Sequence, residues 1–447
     1  MATTQPALGF NGGYIRIGKE ATWGTEVART NQIEAESVDL SLTSEPKFID
    51  VISKRYRTSE EIYQGLISVG GSITYPVRYE GSEMLIEELL GADTITEAST
   101  FIVATTNKYI DFKEDGGSAL LATVAESTYI MGETSATAAT LCKAIKTALE
   151  VNGSGTYTVT FSNTTKKITI AVATGASVTQ ILWKTGTHGS DNSDDSIAAL
   201  IGFTDTADGA SVASVAGDNA VATVFDHAFR FSDTITEGLS IEKAIDANLT
   251  TGKTLLYTGC KIGSMDFNVE PDGTLKATST IIARNEELEE TPTSGLSTST
   301  AGLCVFHQGV INMDGDISGK VVNFSCTVNP NLSGDKNRFS RYIYQPIPAG
   351  KIEVTGTMTI EFDADTYYNY FVNQTTKNFT VKFTGAEIKT SSSYELEFDF
   401  NYAYLTAFPV NPEDQNVVMV EMPFVCIADD STNRSIEINM KNTQSTV

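Results

Sequence analysis

Apolar and polar residues alternate with a period of two along most of the chain, in segments rich in Thr, Val, Ile, Tyr and Phe. This is the pattern of strands with one buried and one wet face. KIEVTGTMTIEFD (351–363) is the clearest case. Ile352, Val354, Met358, Ile360 and Phe362 fall on one side; Lys351, Glu353, Thr355, Thr357, Thr359, Glu361 and Asp363 fall on the other. YELEFDFNYAYL (394–405) sets Leu396, Phe398 and Phe400 against Glu395, Glu397, Asp399 and Asn401 in the same way. Helices are expected to be few. EGSEMLIEELLGA (80–92) has Ser82 as N-cap and Gly91 as stop, and ATAATLCKAIKTALEVNG (136–153) stripes Leu141, Ile145 and Leu149 before Gly153.

The alternating segments repeat. VDLSLTSEP (38–46) matches VNFSCTVNP (322–330) at an offset of 284, and ISVGGSITY (67–75) matches IEVTGTMTI (352–360) at 285. An acidic, helix-like stretch follows each pair. A third match, YTGCKIG (257–263) with FTGAEIK (383–389), has an offset of only 126, so the first copy carries extra residues in its middle. The surplus, 105–222, contains its own helix, hairpin and apolar set. The expected organisation is an N-terminal arm (1–35), a discontinuous first module (36–104 and 223–284), an inserted α+β domain (105–222), an acidic linker (285–302) and a second module (303–447). The fold class expected is mainly β: two tandem β-sandwich or barrel modules with short flanking helices, plus the small inserted α+β domain.

Charge narrows the function. Against 56 Asp and Glu stand 31 Lys and Arg, a formal net charge of −25. Such a chain is not built to grip nucleic acid, whose affinity comes from neutralising phosphates. The insertion holds seven basic and twelve acidic residues, so most of the acidity lies in the repeated modules. Five scattered cysteines without a C-x-x-C pair fit a reducing compartment. MATTQPALGFNGG shows no signal-peptide pattern, and no apolar run suffices for membrane insertion.

Catalytic and metal chemistry find little footing. GKEATWGTEVART (18–30) superficially suggests a phosphate loop, but Glu20 follows Lys19 where Ser or Thr is required. His188, His227 and His307 lie far apart, and no G-x-S-x-G elbow marks a nucleophile. DNSDDS (191–196) lacks the Gly and Glu of a calcium loop. Neither an enzyme, a cofactor nor a metal site is expected.

YIRIGKEATWGTEVA, the S-x-T strands, EGSEMLIEELLGA, FHQGVINMDG (306–315), VTGTMTIEFD and MPFVCIADDS (422–431) occur in an order that resembles the tail tube (major tail) proteins of long-tailed bacteriophages. The resemblance covers residues 10–105 and 222–447. It implies a virion tail protein, assembled in the host cytoplasm, whose rings stack into a tube and meet other tail proteins at the tube ends. DNA would pass through without specific binding. Six modules per ring then mean three chains if one chain holds two modules, with six chains as the alternative. Asp39, Asp266, Glu353, Glu361 and Asp363, polar partners in alternating strands, are the expected lumen-lining residues. Trp23, in a Gly/Thr-rich stretch that cannot bury it, is the expected inter-subunit anchor of the arm, with packing on its own module as the competing expectation. A rival function from another class is a β-sandwich surface adhesin that binds carbohydrate.

Overall fold

The computed structural model describes residues 14–50, 55–56, 62–98, 100–132, 140–232, 237–244, 254–289, 293–315, 317–333, 337–363, 365–389, 392–410, 417–428 and 434–446. Parts of the expected arm (1–13), helix (136–139) and linker (290–292) lie outside the described residues.

The alternating segments become strands. The first set is β1 (Ile15–Lys19), β2 (Asn31–Ile33), β3 (Ser37–Phe48), β4 (Ile62–Pro76), helix α1 (Glu83–Leu90) and β5 (Gly91–Glu97). A separate group follows: β6 (Phe101–Val103), β7 (Tyr109–Glu114), β8 (Leu120–Thr123), β9 (Ser127–Tyr129), α2 (Leu141–Asn152), β10 (Thr156–Ser162), β11 (Lys167–Thr174), β12 (Thr179–Ile181) and β13 (Ser214–Ala216). The first set resumes with β14 (Phe225–Phe231), β15 (Leu239–Ala244), β16 (Thr254–Val269), β17 (Lys276–Ala283) and β18 (Asn285–Glu289). The second set is β19 (Gly309–Asn312), β20 (Val321–Asn329), β21 (Glu353–Glu361), α3 (Thr366–Val372), β22 (Lys377–Lys389), β23 (Ser392–Leu405), β24 (Met419–Cys426) and β25 (Ile436–Asn442).

The two sets share one topology. Hairpin β3–β4 corresponds to β20–β21, and β4 pairs with β17 as β21 pairs with β24. Both β16 and β23 are long strands that turn a corner. The first half of β16 pairs with β15 and β18, and its second half pairs with β17. Likewise β23 pairs first with β22 and β25, then with β24. The counterpart of β16 is therefore β23. The third sequence match sets YTGCKIG of β16 against FTGAEIK of β22, one strand out of step. Both segments alternate around a Thr-Gly, and a period-two pattern does not distinguish neighbouring strands of a sheet.

One core runs through both sets. Leu40, Ile73 and Tyr75 of the first and Phe324, Met358, Phe398 and Phe424 of the second belong to the same cluster of buried side chains. Outer-strand side chains such as Phe398 and Phe400, and Leu85 and Leu89 of α1, belong to this core. Residues 15–33, expected in the arm, supply two strands: β1 pairs with both β15 and β2. Within the expected linker, residues 285–289 pair with β16. Phe101, Val103, Phe112, Leu141, Ile145, Tyr157, Ile170 and Trp183 form a second, separate core.

Helix α1 starts after Ser82 and ends at Gly91, whose φ of 88° places it in the left-handed region that favours glycine. Its two buried acids were not foreseen from their charge. Glu88 is paired with buried Lys261 at 2.8 Å. Glu83 accepts hydrogen bonds from Asn442 Nδ2 (2.7 Å) and the Gly81 N–H (2.6 Å). Burial pushes its carboxyl up to about 7. Burial opposes charging of His227, but the hydrogen bond and charge of Asp93, the Gln444 carbonyl and the nearby Glu83 together outweigh it and hold the imidazole above its usual value. Both groups have raised pKa values in the fold, so each contributes stability at low pH that is lost as pH rises through the folded value. For Glu83 the loss falls between pH 4.5 and about 7 and amounts to about 3 kcal/mol. Glu83→Gln is expected to melt like the wild type at pH 5 and above it at pH 8. Thermal melts across that range check this.

Candidate functional site

Seven strands form a continuous inner sheet in the order β3–β4–β17–β16–β20–β21–β24. Adjacent side chains along each strand point to opposite faces. Because Leu40, Ile73, Ala277, Phe267, Phe324, Met358 and Met422 are all buried on one side, the intervening residues share the other. Registered across the sheet, one row of that face reads Thr74, Thr278, Asp266, Thr327, Thr355 and Val425.

Four of the five expected lining residues lie on this face. Asp39 stands opposite Ser72, Asp266 lies in the central row, and Glu353 and Glu361 occupy the two ends of β21. Asp39, Asp266 and Glu353 are exposed and Glu361 is half-buried. Asp363 differs: it follows the end of β21 and forms an ion pair with Lys320. A further carboxylate, Glu421, shares the face opposite Thr359. Its alternation with Val420, Met422 and Phe424 was legible in MVEMPFVC, but Pro423 argues against a strand away from an edge or bulge. Lys276 also lies on this face, and it is bound to Glu36 at 2.7 Å.

Several hydroxyls of this face are hydrogen-bonded within it. Thr74 and Thr278 share a hydrogen bond of 3.0 Å, Ser325 and Thr357 one of 2.9 Å, and Thr327 donates to Asp266 at 2.5 Å. Chemically, this is a wet surface of carboxylates and hydroxyls. A polyanion meets repulsion from its carboxylates.

The GKEATWG segment is fastened by its carboxylate. Glu20 is buried, and it accepts from the N–H groups of Gly259 (2.8 Å) and Gly24 (2.5 Å) and from Ser240 Oγ (2.9 Å). Burial raises its pKa. Trp23 is half-buried within its own chain, with the Arg284 guanidinium 5.3 Å from its ring and Tyr344 of the second module 6.5 Å away. Gly259, at φ 63°, lets the indole approach: a Cβ there would lie 3.0 Å from the ring. Arg29 nearby pairs with buried Glu242 at 2.9 Å.

Two of the three histidines, His227 and His188, have local partners. His227 bonds to Asp93 (2.8 Å) and the Gln444 carbonyl (2.9 Å), and His188 stacks on Tyr109 beside Asp111. Among the described residues, no group of three or more His, Cys, Asp or Glu is placed to hold a metal ion, and no helix is long and apolar enough to cross a membrane.

A family model described as phage tail tube protein matches residues 11–426, nearly the whole chain. No curated protein matches the chain. The carbohydrate-binding adhesin alternative finds no support in the family match.

Proposed function

The chain belongs to the phage tail tube protein family, structural components of the virion tail, and on that premise we propose that it closes head to tail into rings of three chains, stacked into a tube whose bore is the polar face of the inner sheet. The observation that carries this is the join between the modules. Residues Met265–Val269 of β16 pair with Phe324–Val328 of β20, so the first module hands its sheet to the second edge to edge. The same two edges recur unused at the ends of the chain. Among the described residues β3 pairs only with β4, and the segment after β23 continues along β24 through the Thr406 N–H to the Pro423 carbonyl (2.8 Å). Exposed edges of this kind are templates for strand addition. Repeating the internal join between chains satisfies both.

DNA moves through this bore without specific contacts, repelled by Asp39, Asp266, Glu353, Glu361 and Glu421. Assembly takes place in the host cytoplasm, and the tube ends meet other tail proteins. Electron microscopy of concentrated purified protein tests the proposal. Rings or hollow tubes are expected; a protein that stays monomeric at high concentration overturns it.

The group built around the second core is an outer decoration in this reading. It enters and leaves through adjacent strands: Glu97 pairs with Phe225, and the Ala98 N–H donates to the Val224 carbonyl at 2.8 Å. Replacing residues 99–223 by a short Gly/Ser turn therefore closes β5 and β14 into a hairpin. The shortened chain is expected to fold and still form tubes in the microscope. A folded deletion variant without tubes would give the insertion an assembly role.

A further inference from the structure

The two modules differ at one matched place. In the first, β4 and β17 separate just beyond the hydrogen bond from the Val77 N–H to the Leu275 carbonyl (2.8 Å). Residues 302–306 fill the fork. The Cys304 N–H donates to the Val77 carbonyl (2.9 Å), and the Cys304 carbonyl accepts from the Leu275 N–H (2.8 Å). On either side the Tyr79 N–H reaches the Gly302 carbonyl and the Phe306 N–H the Gly273 carbonyl. Val77, Leu275 and Cys304 are fully buried as a result.

In the second module β21 and β24 separate at the matching bond, from the Phe362 N–H to the Val418 carbonyl (2.9 Å). Among the described residues no segment enters this fork. Its apolar lining is open: Phe362 is 37% exposed, Met419 41% and Val417 61%, with Phe362 resting on Phe408.

The sequence contains a second copy of the filler. FHQGVINM (306–313) leads into β19, and FNGGYIRI (10–17) leads into β1 with the same spacing: Phe10 with Phe306, Gly13 with Gly309, Ile15 with Ile311 and Ile17 with Met313. The topology supports this alignment, since β1 pairs with β15 as β19 pairs with β22. In this alignment Leu8 matches Cys304, and Ala7 matches Leu303.

We infer that residues 6–12 of one chain insert as a short strand into the fork at Phe362 and Val418 of a second copy. Leu8 and Phe10 are its anchors. In the first module the fork is filled from the module that follows it. The module that follows the second one is the first module of the next chain, so the occupant comes from a neighbour. This inference rests on the head-to-tail ring and adds to it a specific inter-chain strap, distinct from Trp23.

A disulfide tests it. Arg78 and Leu303 form an antiparallel bridge in the filled fork, and the flanking hydrogen bonds make theirs a non-hydrogen-bonded pair. Such pairs have Cα atoms about 4.5 Å apart, within disulfide range. Their counterparts are Ala7 and Asp363, and the five native cysteines are buried. The variant Ala7→Cys with Asp363→Cys, oxidised after assembly, is expected to run as covalent multimers of up to three chains on a non-reducing gel. A bond formed only within single chains, or rings that form with no bond, overturns the strap while leaving the ring standing. Absence of rings in the unsubstituted protein overturns both. As a second measurement, Leu8→Asp with Phe10→Asp is expected to keep the wild-type circular dichroism and to need about tenfold more protein, or greater, to assemble. Assembly at an unchanged concentration also overturns the strap.

Discussion

Virions carrying Glu353→Lys with Glu361→Lys are expected to assemble tails and then fail to release their DNA at the normal rate. Both side chains project from the wet face of β21, opposite the buried Val354, Met358 and Ile360, so the exchange leaves the core untouched. What changes is the surface that DNA meets. Each substitution replaces an anion by a cation on a face where Lys276 is already bound to Glu36. A ring of such chains offers enough lysines to engage about six phosphates, and affinity of that kind falls roughly 10³-fold between 50 and 200 mM salt. Three measurements check the claim: electron microscopy for intact tubes, ejection kinetics, and salt-dependent retention of DNA by purified tubes. Normal ejection through intact mutant tubes would show that the inner-sheet face is not the bore.

Native mass spectrometry of an isolated ring is expected to give about 144 kDa, three times the 48.1 kDa chain. Each module brings the same inner unit: a hairpin, a third strand beside it and the second half of a long corner strand. In the first these are β3, β4, β17 and β16; in the second, β20, β21, β24 and β23. Since β16 already joins β20 inside one chain, the inter-module contact occurs once within each chain and once between chains. The two kinds of contact are not identical, because the forks they close are lined by Val77 and Leu275 in one module and by Phe362 and Val418 in the other. Tube cross-sections should therefore show threefold symmetry with a sixfold appearance. A mass of six chains with identical neighbours would mean that the two modules are halves of a single ring unit.

Strand identity was legible because burial on one face imposes a period of two, and this pattern needs no knowledge of the partner strand. That is why KIEVTGTMTIEFD yielded β21 with Val354, Met358 and Ile360 inward. Its ends were over-read: Ile352 and Phe362 are exposed, since the strand stops at Glu353 and Glu361. Helix α1 was equally legible, bounded by Ser82 and Gly91. Asp39, Asp266, Glu353 and Glu361 could be named as polar partners from alternation alone, and all four lie on one face of the inner sheet.

Which strands lie side by side is a different kind of information. Pairing connects residues far apart in the chain, and every half-buried strand presents much the same alternation, so the sequence match points to β22 as the counterpart of β16. Only the corner turned by β23, from β22 and β25 to β24, identified the true match. The same holds for charge. Composition placed most of the acidity in the modules, but that Glu83 and Glu88 are buried while Glu421 stands on the wet face follows from packing. Trp23 shows the limit most plainly. The sequence established that its own Gly/Thr-rich segment cannot cover an indole, whereas the cover itself comes from Arg284, Gly259 and Tyr344, brought together by strands that close only in three dimensions. Local periodicity fixes what each segment buries; the non-local backbone hydrogen bonds decide against what.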